Sequence, residues 1–173
     1  MKRGATLKKR FLALFLDYLI ILCYMAALFG VNMFIYLVIL DGTPRFDELG
    51  MNLISLTLIV PVLLYSIIME ASKKHATVGK LKMKISVASV KKGPVKPWQI
   101  IVRNLIKFLP WQLAHMAIFR GFALNWNLIQ PWNTTLTLSN ILPFVCIIVL
   151  FGRDHRGLHD LAAGTVVIDN GIR

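Results

Sequence analysis

Thirty consecutive positions, residues 11–40, contain a single charged side chain, Asp17. A helix needs about 20 apolar residues to cross about 30 Å of hydrocarbon, so this run is long enough to span a bilayer. The apolar region of a secretory signal peptide is shorter, about 7–15 residues, and ends at a cleavage site of small residues that is missing here. The run therefore predicts a membrane helix with a carboxylate inside it.

Two further apolar runs, at residues 51–70 and 135–151, extend this interpretation to the rest of the chain. Pro61 and Pro143 lie inside them and are expected to bend the helices. The chain is 57% hydrophobic and 16% charged, whereas an average soluble domain is about 45–50% apolar and about 25% charged. Composition thus favours a protein that lies in lipid.

The positive charge of the chain indicates its orientation. A formal charge of +12 would suit a nucleic-acid-binding protein, but most of it flanks apolar runs. Five of the first ten residues are Lys or Arg, and eight lysines stand between residues 73 and 96 beside the one acid Glu70. Because cytoplasmic segments are enriched in Lys and Arg, both segments are predicted to be cytoplasmic, and nucleic acid is not expected as a partner.

The stretch from residue 98 to 119 allows two interpretations. Arg103 and Lys107 stand four residues apart, on one face of an otherwise apolar helix. Trp98 to Leu109 would suit a basic amphipathic helix in the membrane interface. Alternatively, Ile100 to Phe119 crosses as a third span, with its basic residues near the cytoplasmic end. We favour the crossing, because the fourth run must return to the cytoplasmic side.

These observations predict an all-α, polytopic membrane helix bundle with four transmembrane helices and a small cytoplasmic cap. The spans are placed at about 11–38, 51–70, 100–119 and 135–151, and the cap combines the loop 71–99 with the tail 152–173. KMKISVASV and GTVVID have strand character and could pair within this cap. We expect one domain over residues 1–173. It is expected to be a multi-pass protein of the cell membrane, of the bacterial inner-membrane type, with both termini cytoplasmic.

The acid inside the first span needs a partner, because an ionised carboxylate in hydrocarbon is costly. Arg10 is seven residues, or about 10 Å, from Asp17 and too far away to bond with it. The expected partner of Asp17 is Arg103, with Lys107 as the second candidate. Arg10 is expected to pair with Asp160 instead.

Three histidines are further candidate site residues. His155 and His159 have the spacing of a metal pair, but HRGLH lacks the glutamate of the H-E-x-x-H motif, so no metal is expected and His159 is assigned a hydrogen bond at the turn. His115 is a weak candidate for a proton relay.

Cysteine and glycine positions suggest structural roles. Cys23 and Cys146 lie in apolar runs and are interpreted as buried thiols. Gly79 is expected to allow a tight turn where the chain leaves the bilayer. No nucleophile, base and orienting group can be assembled, so neither an enzyme nor a cofactor is predicted.

Four sequence features together resemble the RDD family of polytopic membrane proteins. They are the arginine seven residues before an aspartate at Arg10 and Asp17, ATVGKLKMKISV after the second span, RNLIKFLP, and the terminal GLHDLAAGTVV. The family is named for one arginine and two aspartates, which the resemblance places at Arg10, Asp17 and Asp160, and not at the pair Arg153 and Asp154. The resemblance implies a membrane protein, and some family members are similar to cation/proton exchangers.

Two functions remain open at this stage. One is a small transporter or cation/proton exchanger in which Asp17 carries a proton or monovalent cation, as intramembrane acids do in transporters. A homo-oligomer is compatible with this function, since four spans enclose little volume. The other is a non-catalytic membrane scaffold or accessory subunit whose buried charges fix helix packing. In both, the lysine-rich loop is expected to contact anionic lipid headgroups of the bilayer.

Overall fold

The computed structural model describes residues 4–42, 47–91, 93–127, 129–152 and 155–171. Four long helices dominate it: α1 (Leu7–Phe34), α2 (Glu48–Ala71), α4 (Pro97–Ala123) and α5 (Trp132–Leu150). The short helices α3 (Val78–Lys82) and α6 (Leu158–Ala163) and the strands β1 (Ile85–Ser89) and β2 (Thr165–Asp169) complete the order, and a π-helical turn, Ile35–Ile39, extends α1. Within the described residues, three helices are long and apolar enough to cross a membrane: α1 with its π turn, α2 and α5.

The helix boundaries follow local sequence signals. Thr6 accepts a hydrogen bond from Lys9 N at the start of α1, and Asp47 accepts one from Gly50 N at the start of α2. Such side-chain oxygens satisfy the free N–H groups of a first turn. Helix α4 starts with Pro97, whose missing N–H is not needed at that position.

Helices α2 and α4 lie antiparallel along their full lengths. Near the start of α4, Asn104 Nδ2 donates to Glu70 Oε2 at 3.0 Å, and near its end Arg120 Nη1 lies 2.5 Å from Glu48 Oε2. Glu48 and Glu70 stand at opposite ends of α2. Helix α4 is therefore one continuous helix beside α2, longer than the predicted span 100–119.

The strands predicted in the loop and the tail do pair. β1 and β2 are antiparallel, with Val87 opposite Val167, and Gly4 forms a bridge to Ile168 on the other side of β2. Ala5 N also donates to the Val167 carbonyl at 2.9 Å. The N-terminal segment, the lysine-rich loop and the C-terminal tail thus meet in one small sheet.

Polar side chains form much of the interior of the protein, and apolar side chains cover its outside. Phe29, Phe144 and Ile148 are each 68% exposed, whereas Glu70, Asn104 and Asp160 are 0% exposed. This inversion of the soluble pattern suits helices that contact lipid. The prediction that both thiols are buried is wrong, since Cys23 is exposed on the outer face of α1 and Cys146 is partly exposed.

Candidate functional site

The Asp17 carboxylate is held by hydroxyl and backbone donors. It is 7% exposed and lies about 15 Å along α1 from Leu7. Its Oδ2 accepts from Thr77 Oγ1 at 2.6 Å, and its Oδ1 accepts from Gly79 N at 2.8 Å and from the Tyr65 hydroxyl at 3.5 Å. The predicted partner Arg103 binds other acids, so the expected Asp17–Arg103 pair is wrong.

Gly79 makes this contact possible. It lies in the first turn of α3, where N–H groups are free to bind an anion. A Cβ at this position would overlap the Ala13 carbonyl oxygen and lie 2.9 Å from the Asp17 carboxyl carbon. The predicted role of Gly79 in a turn is therefore replaced by another one: the missing side chain lets α3 pack directly on α1.

Arg103 joins two buried acids at the centre of the protein. It is 3% exposed, donates from Nε to Glu70 Oε2 at 3.1 Å, and forms an ion pair through Nη1 with Asp160. Glu70 also pairs with Lys80, which follows it by ten residues. These contacts tie the end of α2, the middle of the basic loop and the start of the tail to α4.

Arg10 approaches the same group, as the sequence predicted. Its Nη1 lies 3.5 Å from Asp160 Oδ2, and its Nη2 donates to the Val167 carbonyl at 3.1 Å. Burial alone would raise the pKa of Asp160, but Arg103, His159 and Arg10 more than offset it, so the pKa lies below its usual value. We call Arg10, Glu70, Lys80, Arg103 and Asp160 the charge cluster.

Two titratable groups beside the α6 and α3 segments are shifted by burial. Burial lowers the pKa of His159 to about 3, with Arg103 adding to the effect, and His159 Nε2 lies 3.7 Å from Asp160 Oδ2. Burial also lowers the pKa of Lys80 to about 8, against the opposing effect of Glu70. His159 is thus neutral near pH 7, while Lys80 remains mostly protonated.

The structure also places His115 and His155, the other two candidate histidines. His115 Nδ1 lies 2.8 Å from the Trp111 carbonyl, and the His115 ring lines a cavity described below. His155 precedes α6 with a left-handed backbone (φ 49°), whereas His159 lies inside α6, so the two rings share no helix face. The described part of the chain contains no group of three metal-ligating residues. Arg153 and Asp154 lie outside the described residues.

Two cavities meet at Asp17 and Lys107. The larger, of 270 Å³, lies between α1, α2 and α4, and the smaller, of 110 Å³, adjoins the charge cluster. Leu14, Asp17 and Lys107 line both of them. We call Asp17 and Lys107 the junction, because they lie between the larger cavity among the long helices and the smaller one, whose lining includes residues of the charge cluster.

A comparison with protein-family models identifies the family of this chain. The model of the RDD family matches residues 4–164, which is nearly the whole chain. The chain belongs to the RDD family. That residues 165–173 belong to the same domain stays a prediction.

The three positions that the resemblance assigns to the arginine and two aspartates of the family name have different surroundings. Arg10 and Asp160 contact each other in the charge cluster, while Asp17 contacts the α3 segment and lines both cavities. Comparisons with curated proteins and with solved structures gave no match. The function of this RDD protein therefore has to be argued from the geometry itself.

Sequence reasoning missed two of the five residues of the charge cluster. Glu70 and Lys80 were counted as flanking charges, and Thr77 was not singled out. The signal was present, because Glu70 is the one acid in a stretch with eight lysines and stands at the end of an apolar run. An acid in that position needs several donors, which Lys80, Arg103 and Asn104 supply.

Proposed function

We propose that four helices of this RDD protein cross the membrane, with α4 as the third crossing and both ends on the cytoplasmic side. The antiparallel contact of α4 with α2 supports this, because Arg120 reaches Glu48 at one end and Arg103 reaches Glu70 at the other. At 27 residues α4 is about 40 Å long, enough for about 30 Å of hydrocarbon. An interfacial α4 could not follow a spanning α2 from end to end.

Cysteine labelling tests this topology. In a background without Cys23 and Cys146, the variants Asn125→Cys and Lys91→Cys each place one thiol at an exposed position, after and before α4. We expect a membrane-impermeant maleimide to label residue 125 from outside and residue 91 only in inside-out vesicles. Labelling of both thiols from the same side would contradict a crossing by α4.

We further propose that the protein is a small membrane transporter whose substrate site is the larger cavity. The observation that carries this proposal is the junction, where two ionisable groups lie between a 270 Å³ cavity among the long helices and a 110 Å³ cavity beside the charge cluster. Acids and bases inside a membrane bundle typically mark substrate or proton pathways. The larger cavity is near the lower end of the usual size for ligand sites, about 300–1,000 Å³.

The coupling ion that suits Asp17 is a proton and not a metal ion. Both carboxylate oxygens already accept hydrogen bonds from Thr77, Gly79 and Tyr65, so a metal ion would have to displace these donors. A proton, in contrast, needs only one oxygen.

A second candidate function is a membrane scaffold or accessory subunit, favoured by the same hydrogen bonds of Asp17. Three donors from α2 and the α3 segment converge on this carboxylate and attach the basic loop to α1. In this alternative, the carboxylate holds the cytoplasmic face in a fixed shape and moves no ion. Polar contacts between helices stabilise packing in lipid, where the hydrophobic driving force is absent.

The variant Asp17→Asn separates the two functions. Purified protein is reconstituted with a pH-sensitive dye inside proteoliposomes, and proton movement is followed after sodium, potassium or organic-anion gradients are applied. The transporter proposal expects Asp17→Asn to remain folded with proton-coupled flux reduced at least tenfold, while Asp41→Asn, at an exposed acid, keeps the wild-type rate. Reduced melting temperature with unchanged flux per folded molecule would instead favour the scaffold.

A further inference from the structure

The larger cavity has an apolar wall and a polar end. Its residues come from three helices and are mostly aliphatic or aromatic, including Leu22 and Met25 from α1, Leu58 and Val62 from α2, and Phe108 and Trp111 from α4. Asp17, Lys107, Tyr65 and Ser66 lie together at the opposite, cytoplasmic end. A molecule that fills this space would contact apolar groups over most of its length and polar groups at one end.

Two donors at the polar end have no protein partner. Lys107 makes no ion pair or hydrogen bond with any residue in the described part of the chain, although the charges of Glu70, Asp17 and Asp160 act on it, and its Nζ lies 5.3 Å from the centroid of the Phe108 ring. The Ser66 hydroxyl, on a residue that is 3% exposed, likewise makes no hydrogen bond within those ranges. Buried polar groups usually have partners, so these two donors are available to a ligand.

The charge balance at this end leaves one positive charge over. The buried acids are Asp17, Glu70 and Asp160, and the basic residues around them are Arg10, Lys80, Arg103 and Lys107. Arg10, Lys80 and Arg103 each pair with Glu70 or Asp160. Lys107, which lines both cavities, is the base left without an ion pair, and Asp17 is the acid left without one, so the excess of one positive charge belongs to the group as a whole.

We infer that the larger cavity binds a small amphipathic monocarboxylate, an aliphatic chain that ends in one carboxylate. Lys107 Nζ and Ser66 Oγ donate to the carboxylate, and the chain lies along the apolar wall between α1 and α2. One negative charge matches the net charge of +1 that the three acids and four bases carry together, whereas a dianion would exceed it. This inference rests on the proposed function only in that the cavity is the substrate site, and it names the substrate class.

Size and charge favour this ligand over other amphiphiles. At 270 Å³ the cavity is slightly smaller than the usual ligand site of about 300–1,000 Å³, which suits a small single-chain molecule. A cationic amphiphile of the same length would place its charge against Lys107. A neutral alcohol would fit but would leave the ammonium unpaired.

Equilibrium binding to the whole protein in nanodiscs tests the inference. The probes are radiolabelled octanoate, octanol and octylammonium, which share a chain and differ in the head group, with empty nanodiscs as the partition background. We expect saturable binding of octanoate, and Lys107→Met should weaken it about ten- to hundredfold, the factor that corresponds to about 1.5–3 kcal/mol for a hydrogen bond to a charged group. Lys91→Met, at an exposed lysine outside the cavity, should leave octanoate binding unchanged.

The comparison of octanoate, octanol and octylammonium binding to wild-type protein tests the inference even when a variant fails to fold. Octanoate that binds no more tightly than octanol or octylammonium, or that binds equally to wild type and folded Lys107→Met, would overturn the inference. Saturable, Lys107-dependent binding without any proton-coupled flux would contradict the transporter proposal and leave this inference intact. Flux that depends on Asp17 in a protein that does not bind octanoate would support the transporter proposal and overturn this inference.

Discussion

Replacing Gly79 by alanine should separate α3 from α1. The new Cβ would overlap the Ala13 carbonyl oxygen and lie 2.9 Å from both the Asp17 carboxyl carbon and Oδ1. The Ala13 oxygen belongs to the backbone of a long helix and cannot move alone, so α3 has to shift. That shift would break the 2.8 Å hydrogen bond from Gly79 N to the carboxylate.

The magnitude follows from three contributions. Overpacking costs about 1–3 kcal/mol, and loss of a hydrogen bond to a charged group costs about 1.5–3 kcal/mol. Alanine returns about 0.5–1 kcal/mol because it restricts the unfolded chain more than glycine does. The net loss in the free energy of unfolding should be about 2–5 kcal/mol.

Unfolding in mixed detergent and SDS micelles, followed by tryptophan fluorescence, measures this loss. Gly30→Ala is the matched control, because residue 30 lies in α1 with nothing within 4 Å of a new Cβ, and this variant should be as stable as wild type or more so. In an Asp17→Asn background, Gly79→Ala should cost less, since the two changes remove the same contact. Equal stability of Gly79→Ala and Gly30→Ala would refute the close packing of α3 on α1.

Two further predictions concern the charge cluster. Arg103→Met should destabilise the protein by about 3 kcal/mol in the same SDS titration, the low end for a broken buried pair because Glu70 and Asp160 keep other donors. Arg120→Met, at a partly exposed pair on the same helix, should cost only about 0–1 kcal/mol, and equal losses would argue against a central role for Arg103. The ring of His159, identified by the signal that His159→Gln removes, should show no NMR titration between pH 5 and 8, since burial lowers its pKa to about 3. The ring of the unfolded chain gains a proton near pH 6.5 and the ring of the folded protein does not, so His159 should reduce the free energy of unfolding progressively as the pH falls from about 6.5 towards 3. An NMR titration midpoint near pH 6.5 for the ring in the folded protein would contradict its burial.

The sequence was sufficient for the helices and for one ionic contact. Long uncharged runs located α1, α2 and α5, because the hydrocarbon thickness sets the length of a span. The Arg10–Asp160 contact could be predicted because both residues flank apolar runs whose ends are predicted to lie on the same side of the membrane. The β1–β2 pair was found from its β-branched residues, although the attachment of Gly4 to that sheet was not.

The partner of Asp17 could not be read from the sequence, and the reason is physical. Asp17 and Arg103 were assigned similar depths, but depth does not decide which acid an arginine contacts. Glu70 and Asp160 both reach Arg103, and Asp17 is met by a loop segment that folds back onto α1. Backbone donors such as Gly79 N carry no side-chain signal, so only the tertiary structure reveals them.

The rate of proton-coupled flux per folded molecule tests the central claim, that the junction of Asp17 and Lys107 acts in transport. Wild type, Asp17→Asn and Lys107→Met are reconstituted in parallel, and each initial rate is divided by the amount of correctly folded protein. We predict rates per folded molecule at least tenfold below wild type for both variants, with a melting temperature close to that of the parent for Lys107→Met, which loses no hydrogen bond within the described part of the chain. Wild-type rates per folded molecule in both variants would contradict the claim and leave the junction with a structural role only.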